Sequence, residues 1–151
     1  SLVGSEMCIR DRGDAPRIVR YLAYPGNYGM LPRTLLAKTD GGDGDPLDVI
    51  VLGSTIERGA IVRANVIGVL KLLDGGEQDD KLIAVLDVGP LSGARSMIEL
   101  DEKFPGVSRI IETWFVNYKG SGVVESLGYA DRNVGLGMVK IAAQAFIDAE
   151  R

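Results

Sequence analysis

Short apolar runs separated by turn residues fill the first two thirds of the chain, and the apolar period becomes helical after Pro105. The runs are rich in Val, Ile and Leu and predict strands over 17–23, 49–52, 60–70 and 82–86. Acidic, Gly-containing loops at 40–48 and 73–81 each lead into one of these strands. This order predicts a β-meander or barrel with both acidic loops at one mouth.

Two amphipathic helices are predicted in the last third of the chain. Between Pro105 and Gly120, apolar residues recur at i, i+3, i+4, i+7, i+8 and i+11, which is the period of one helix face: Val107, Ile110, Ile111, Trp114, Phe115 and Tyr118. We interpret this stripe, including Trp114, as core. A second helix is predicted near the C-terminus, and 124–129 fits neither period clearly. The expected fold is therefore α+β and mainly β, with helices outside a barrel.

Composition narrows the chemistry that the chain can perform. The sequence has 151 residues, no His, one Cys and a formal charge of −4. Histidine-dependent nucleophilic triads, His-ligated metal sites and intrachain disulfides are excluded. The acidic balance argues against a nucleic-acid or anionic-membrane partner, and no apolar run approaches the roughly 18 residues of a membrane helix. Acid–base work falls to Asp, Glu, Lys or Tyr.

The first acidic loop is the strongest candidate for a metal site. Asp43, Asp45 and Asp48 lie at i, i+2 and i+5, and no Lys or Arg stands between Lys38 and Arg58. Crowded carboxylates repel one another, and a hard divalent cation such as Mg²⁺ or Ca²⁺ relieves that repulsion. Asp also caps Gly-rich turns, which is the structural alternative. The ligand pattern of an EF-hand is not met.

The second acidic loop adds a further set of charges. If the two loops converge, Asp74 and Asp79 join the first carboxylates in a basin able to hold more than one divalent ion, which can activate a water. Cations and hydroxyls that could bind an anionic substrate lie nearby in the sequence: Arg17, Lys81, Lys119, Tyr24, Tyr28 and Tyr118. Together these residues suggest metal-assisted phosphate hydrolysis. A solvated hairpin tip is an equal alternative for 74–81, and packing is one for the tyrosines.

The motifs occur in an order that resembles the soluble family I inorganic pyrophosphatases. They are Tyr24-Pro-Gly-Asn-Tyr-Gly29, Asp43-Gly-Asp-Pro-Leu-Asp48, Asp74 with Asp79 and Lys81, and Phe115-Val-Asn-Tyr-Lys119. The resemblance runs from about Arg17 to the C-terminus. It implies a five-stranded, OB-like closed β-barrel with flanking α-helices. It also implies hydrolysis of pyrophosphate to two phosphates by in-line attack of a metal-activated water, with no phosphoenzyme.

The resemblance also implies a role for each matching residue. Two or more Mg²⁺ ions, with Mn²⁺ as a possible substitute, are expected on Asp43, Asp48, Asp74 and Asp79, with Asp48 bridging two of them. Asp45 and Tyr28 match catalytic positions, Asp45 as general base. The substrate-binding positions are Arg17, Tyr24, Lys81, Tyr118 and Lys119, with Arg20 the alternative to Arg17. A homo-oligomer is expected, in the cytoplasm or, if an export signal preceded this sequence, outside it.

The N-terminal segment departs from the family pattern. Residues 1–14 show neither periodicity nor a signal-peptide layout, and we expect a non-native or disordered lead-in. An ordinary flexible N-terminus is the alternative. Residues 15–151 are predicted to form a single, N-terminally truncated barrel domain that lacks a Glu, Lys and Glu found upstream in the family. The competing function is therefore an inactive metal-binding barrel of the same family, and a nucleic-acid-binding barrel is disfavoured by the charge.

Overall fold

The computed structural model describes residues 2–3, 8–10 and 16–151, with side chains from Val19 onward. Ten strands are present in this part of the chain: β1 Leu2–Val3, β2 Cys8–Arg10, β3 Pro16–Ile18, β4 Asn27–Met30, β5 Asp48–Leu52, β6 Ile61–Val62, β7 Ala64–Asp74, β8 Glu77–Gln78, β9 Lys81–Leu86 and β10 Val124–Asp131. The helices are α1 Met97–Lys103, α2 Val107–Asn117 and α3 Arg132–Ala149.

A mixed sheet forms the centre of the molecule. Its strand order is β10-β7-β9-β5-β4, with β8 paired to the end of β7. Among the described strands, only β5 and β9 run parallel, and they lie in the middle of the sheet. Parallel strands are usually buried on both faces of a sheet, so their residues are apolar without alternation. Both strands have such continuous apolar runs.

The two faces of the sheet pack against different helices. From β5, Ile50 and Leu52 join a core cluster that includes Phe115 of α2. Val49 and Val51 point to the opposite face and join the cluster that includes Ala142 of α3. This division follows from the alternation of side chains along a strand. The helices α1 and α2 therefore cover one face of the sheet, and α3 covers the other.

Side-chain caps and a glycine set where the helices begin. The Ser96 hydroxyl accepts a hydrogen bond from the Glu99 amide at the start of α1, and the Asp131 carboxylate accepts one from the Val134 amide at the start of α3. Gly106 precedes α2 with φ of 89°, a conformation that favours glycine.

Several predicted boundaries are wrong. The strand predicted over 17–23 ends at Ile18, and the predicted turn at 24–29 contains β4. A third helix, α1, was missed because seven residues are too few to display a helical period. The unassigned segment 124–129 lies in β10, which contains a bulge between Ser126 and Gly128 that interrupts its alternation.

Closure of the barrel stays a prediction. Among the described strands, the central sheet ends at β10 on one side and at β4 on the other. The lead-in prediction for 1–14 falls mostly outside the described residues. Of that segment, β1 pairs with β6, and β2 pairs with β3.

None of the described helices combines the length and the apolar composition needed to cross a bilayer.

Two neighbouring isoleucines of α2 test this packing. Ile111 is 0% exposed, whereas Ile110, which the sequence stripe assigned to the core, is 59% exposed. We expect Ile111→Ala to lower the free energy of unfolding by roughly 2 to 5 kcal/mol because it leaves a cavity. The matched variant Ile110→Ala should change it by about 0.5 kcal/mol or less. Urea unfolding measures both, and equal losses would contradict the orientation of α2.

Candidate metal and anion site

The site is built where the parallel strands β5 and β9 begin. The register pairs Val49 with Leu82, so the residues before them, Asp48 and Lys81, lie at the same end of the pair. The Lys81 ammonium donates hydrogen bonds to Asp48 Oδ2 at 2.5 Å and to Asp79 Oδ1 at 2.7 Å. The two acidic loops that the sequence separates by about thirty residues therefore meet on one lysine.

Burial makes this contact energetically important. Lys81 is 3% exposed, and its ammonium also donates to the Tyr28 hydroxyl at 3.4 Å. Burial disfavours the charged ammonium, but attraction to the Tyr28 oxygen, Asp48 and Asp79 outweighs it, so the pKa of Lys81 is raised well above its usual value. Burial also raises the pKa of the Tyr28 hydroxyl well above the ordinary phenol value, although the positive charge of Lys81 acts in the opposite direction. Lys81 is therefore a cation and Tyr28 a neutral hydroxyl at pH 7.

A second ion pair lies beside the first. Lys119, just beyond the end of α2, donates to a carboxylate oxygen of Asp74 at the end of β7. The adjacent Tyr118 has a raised pKa, mainly through burial, opposed by Lys119 and Lys81 and reinforced by Asp79 and Asp74. Charges from both ion pairs therefore act on Tyr118.

The three tyrosines that the sequence analysis singled out are joined to Trp114 by ring contacts. Tyr24 stacks on Tyr28, with ring centroids 4.8 Å apart, and lies 4.6 Å from Trp114. Tyr118 stacks on Trp114 at 4.7 Å. Every tyrosine predicted for the site therefore lies in one aromatic row.

The first acidic loop forms the outer wall of the site. Asp43 Oδ1 accepts a hydrogen bond from the Asp45 amide at 2.9 Å, which is the turn-capping role foreseen as the alternative. Asp43, Asp48 and Asp79 also line one cavity of about 210 Å³ between this loop and α3. Asp45 is exposed at the tip of the turn. Asp43 thus caps its loop and faces the same cavity as the carboxylates on Lys81.

The donor set suits a hard divalent cation. The ligands at hand are carboxylate oxygens, which Mg²⁺ and Ca²⁺ prefer. In the portion of the chain that the structure describes, no three carboxylates are grouped as a ready metal cluster. Asp48 and Asp79 nevertheless aim at one buried positive charge, and a divalent ion could take up the same oxygens. The residues present therefore fit such an ion.

Sequence reasoning missed one acidic residue beside this site. The Asp80 side chain is 4% exposed and accepts hydrogen bonds from the Leu72 backbone amide at 3.2 Å and from the Gln78 side-chain amide at 2.6 Å. It also pairs with Lys71 at 3.0 Å. Strand alternation could have indicated the separate orientation of Asp80. Asp79 and Lys81 share one face, so the residue between them must point to the other face.

The two candidate arginines lie three residues apart. Arg17 lies in β3, and its side chain is outside the described part of the structure. Arg20 follows the strand and is exposed.

Comparisons with known proteins agree with this architecture. The profile of the inorganic pyrophosphatase family matches residues 11–145. A mitochondrial inorganic pyrophosphatase of Saccharomyces cerevisiae is 40% identical over 116 residues, which cover 68% of this chain and 37% of that protein. The crystal structure of the inorganic pyrophosphatase of Thermus thermophilus superposes with a TM-score of 0.78 at 27% identity, covering 96% of this chain and 89% of that one.

The structural match to a Helicobacter pylori inorganic pyrophosphatase is similar, with a TM-score of 0.75 at 26% identity over 95% of this chain and 89% of that one. The fold, a mainly β mixed sheet with three helices, is that of these pyrophosphatases. The chain belongs to the inorganic pyrophosphatase family. It spans about a third of the length of the yeast relative, 37% of it.

Replacing Lys81 by Met tests the buried ion cluster. We expect a loss of roughly 1.5 to 3 kcal/mol in unfolding free energy at pH 7, because Asp48 and Asp79 lose their shared partner but stay in contact with solvent. Because the folded-state pKa of Lys81 is raised, Lys81 contributes its full stabilisation below the ordinary lysine pKa of about 10.4. That stabilisation is lost as the pH rises through the folded-state pKa. The difference in unfolding free energy between Lys81→Met and wild type should therefore shrink at alkaline pH.

Lys140→Met, at an exposed position of α3, is the matched control and should leave stability nearly unchanged. Chemical unfolding at pH 7, 9 and 11.5 measures the three proteins. A Lys81→Met variant as stable as wild type at pH 7 would show that the cluster is not a stabilising contact.

Proposed function

We propose that the protein hydrolyses inorganic pyrophosphate to two phosphates in a reaction that depends on Mg²⁺. The observation that carries the proposal is the meeting of Asp48 and Asp79 on the buried Lys81, in a chain of the inorganic pyrophosphatase family. Carboxylates suited to a metal and cations suited to a phosphate occur in the same site. No other polar cluster of the described residues combines the two.

The metal would be held by the carboxylates of the two acidic loops. The proposed ligands are Asp43, Asp48, Asp74 and Asp79, with Asp48 shared between two ions and Mn²⁺ as a possible substitute. Bound divalent ions would lower the pKa of a water and draw charge from the phosphoryl group. Lys81 and Lys119 now neutralise three of these four carboxylates, and each ammonium would turn to phosphate oxygens once a metal takes up those carboxylates.

The remaining residues would bind pyrophosphate and move a proton. Lys81 and Lys119 supply the positive charge, and the neutral hydroxyls of Tyr24 and Tyr118 donate hydrogen bonds. Arg17 is the proposed additional cation. Asp45, which is exposed at the tip of its turn, would accept the proton of the attacking water. That water would displace the leaving phosphate in line, so no phosphoenzyme would form. Tyr28 would orient Lys81 and the adjacent carboxylates.

The wider expectations are part of the same proposal. They are a single barrel domain over 15–151, closure of its sheet, assembly into a homo-oligomer and a cytoplasmic location. Pyrophosphate and phosphate are the proposed partners, without nucleic acid or membrane. The relatives include a protein named as mitochondrial, so relatives alone do not choose the compartment.

The central prediction is release of phosphate from pyrophosphate in the presence of Mg²⁺. We expect Asp45→Asn to lower kcat by about 10² to 10⁴-fold, because the amide cannot accept the proton. Asp87→Asn, an isosteric change at an exposed residue beyond the far end of β9, should keep full activity. A coupled phosphate assay measures all three proteins.

The dependence of phosphate release on metal is tested separately. Excess chelator should abolish phosphate release, and Asp48→Asn should require more Mg²⁺ for any remaining activity. Full activity in chelator, or an unimpaired Asp48→Asn variant, would contradict a metal mechanism. Mg²⁺-induced thermal stabilisation without any phosphate release would instead identify the inactive metal-binding barrel.

A pair of arginine variants decides which cation completes the substrate site. We expect Arg17→Ala to raise KM for pyrophosphate by roughly tenfold or more, since a charge-assisted contact is lost. Arg20→Ala should leave KM within about twofold. Steady-state kinetics at saturating Mg²⁺ compares them, and the reverse ranking would transfer the role to Arg20.

A further inference from the structure

Four aromatic rings form a continuous row between the two lysines of the site. The order is Tyr28, Tyr24, Trp114 and Tyr118, with neighbouring centroids 4.8, 4.6 and 4.7 Å apart. At one end the Lys81 ammonium lies 5.7 Å from the centre of the Tyr28 ring, and at the other Lys119 lies 5.7 Å from that of Tyr118. Both distances are within the range of a cation–π contact.

Trp114 is the one member of the row that connects its two halves. Tyr24 and Tyr28 come from the N-terminal part of the chain, and Tyr118 comes from the C-terminal cap of α2. Trp114 contacts Tyr118 one helical turn later along the same helix, where i and i+4 side chains meet. It contacts Tyr24 across the fold. The ring therefore lies between the two groups of substrate residues.

A hydrogen bond holds the N-terminal half against this ring. The Trp114 indole nitrogen donates to the Leu22 carbonyl at 2.9 Å, a contact between residues 92 positions apart in the sequence. Leu22 lies two residues before Tyr24, in a segment without regular secondary structure. A segment of that kind has no strand ladder to fix its place, so this bond and the ring contact secure it.

The environment of Trp114 favours a fixed position. The residue is 5% exposed and packs edge-on against Phe115, with centroids 5.0 Å apart. Stacked and edge-on rings have defined orientations, whereas an aliphatic side chain of similar size would leave its neighbours free to turn. A change in the ring at 114 should therefore reach Tyr24 and Tyr118 together.

We propose that Trp114 is a positioning residue for anion binding. It fixes Tyr24 and Tyr118, and through the row it aligns the ends at which Lys81 and Lys119 act. The inference rests on the proposed function, because it takes these tyrosines and lysines as the phosphate-binding groups. Trp114, which the sequence stripe places in the core, thereby has a second role beside the site.

Two variants at this position separate stacking from bulk. Trp114→Leu keeps an apolar side chain but removes the ring and the indole hydrogen bond, and it should raise the dissociation constant of inorganic phosphate and KM for pyrophosphate roughly tenfold. The kcat should fall less than KM rises. Trp114→Phe also loses the indole hydrogen bond but keeps a ring for the stacking contacts, and it should stay within about threefold of wild type if those contacts carry the positioning. Calorimetry with inorganic phosphate at saturating Mg²⁺ and steady-state kinetics give these values.

Ile111→Ala is the matched control for a merely structural effect. Ile111 is fully buried on the same helix and in the same core cluster, but it is outside the aromatic row. It should lower the unfolding midpoint while leaving the phosphate dissociation constant unchanged. Equal phosphate affinity in Trp114→Leu and Ile111→Ala would overturn the proposal.

Trp114 itself supplies a measurement that needs no variant. It is the chain's only tryptophan, so its fluorescence reports on one place. Inorganic phosphate should cause a saturable change in emission with the dissociation constant found by calorimetry, even if Trp114→Leu does not fold. Phosphate binding without any emission change, or no phosphate binding by wild type, would refute the proposal. Phosphate binding without pyrophosphate hydrolysis would refute only the proposed function.

Discussion

The buried ammonium of Lys81 is the constraint on which the site depends. A charge removed from water is costly unless it is paired, and Lys81 finds Asp48 on a neighbouring strand and Asp79 on its own approach loop. The parallel pairing of β5 and β9 brings these groups together. The cluster thus ties the centre of the sheet to both acidic loops, and it brings the carboxylates of Asp48 and Asp79 to one positive charge.

The surrounding packing explains how a loop-built site stays in place. The central strands alternate their side chains between two cores, one against α1 and α2 and the other against α3. The same alternation turns Asp80 away from Asp79 and Lys81. On that side the Asp80 carboxylate accepts a hydrogen bond from the Leu72 amide and pairs with Lys71, and these contacts attach the second loop to β7. Rigid strands therefore carry the base of each acidic loop, while the carboxylates at the tips remain open to solvent.

The sequence predicted the parts of the fold whose signals are local. The strands β5 and β9, the helix α2 and the acidic loops before both strands were expected within a few residues of their observed places. The helix α1 was missed because it is short, and β4 was interpreted as turn because Pro25 and Gly26 dominate its approach. Tertiary contacts decided these cases. The bond from Trp114 to the Leu22 carbonyl likewise spans too much sequence for any local pattern to reveal it.

The central claim is that the carboxylates gathered around Lys81 form a binding site for divalent ions in this member of the inorganic pyrophosphatase family. Calorimetric titration of Mg²⁺ into the wild-type protein, without substrate, tests it most directly, because it depends on neither turnover nor the identity of the anion. The account predicts saturable binding of more than one ion per chain. Absence of binding at millimolar Mg²⁺ by folded protein would contradict it.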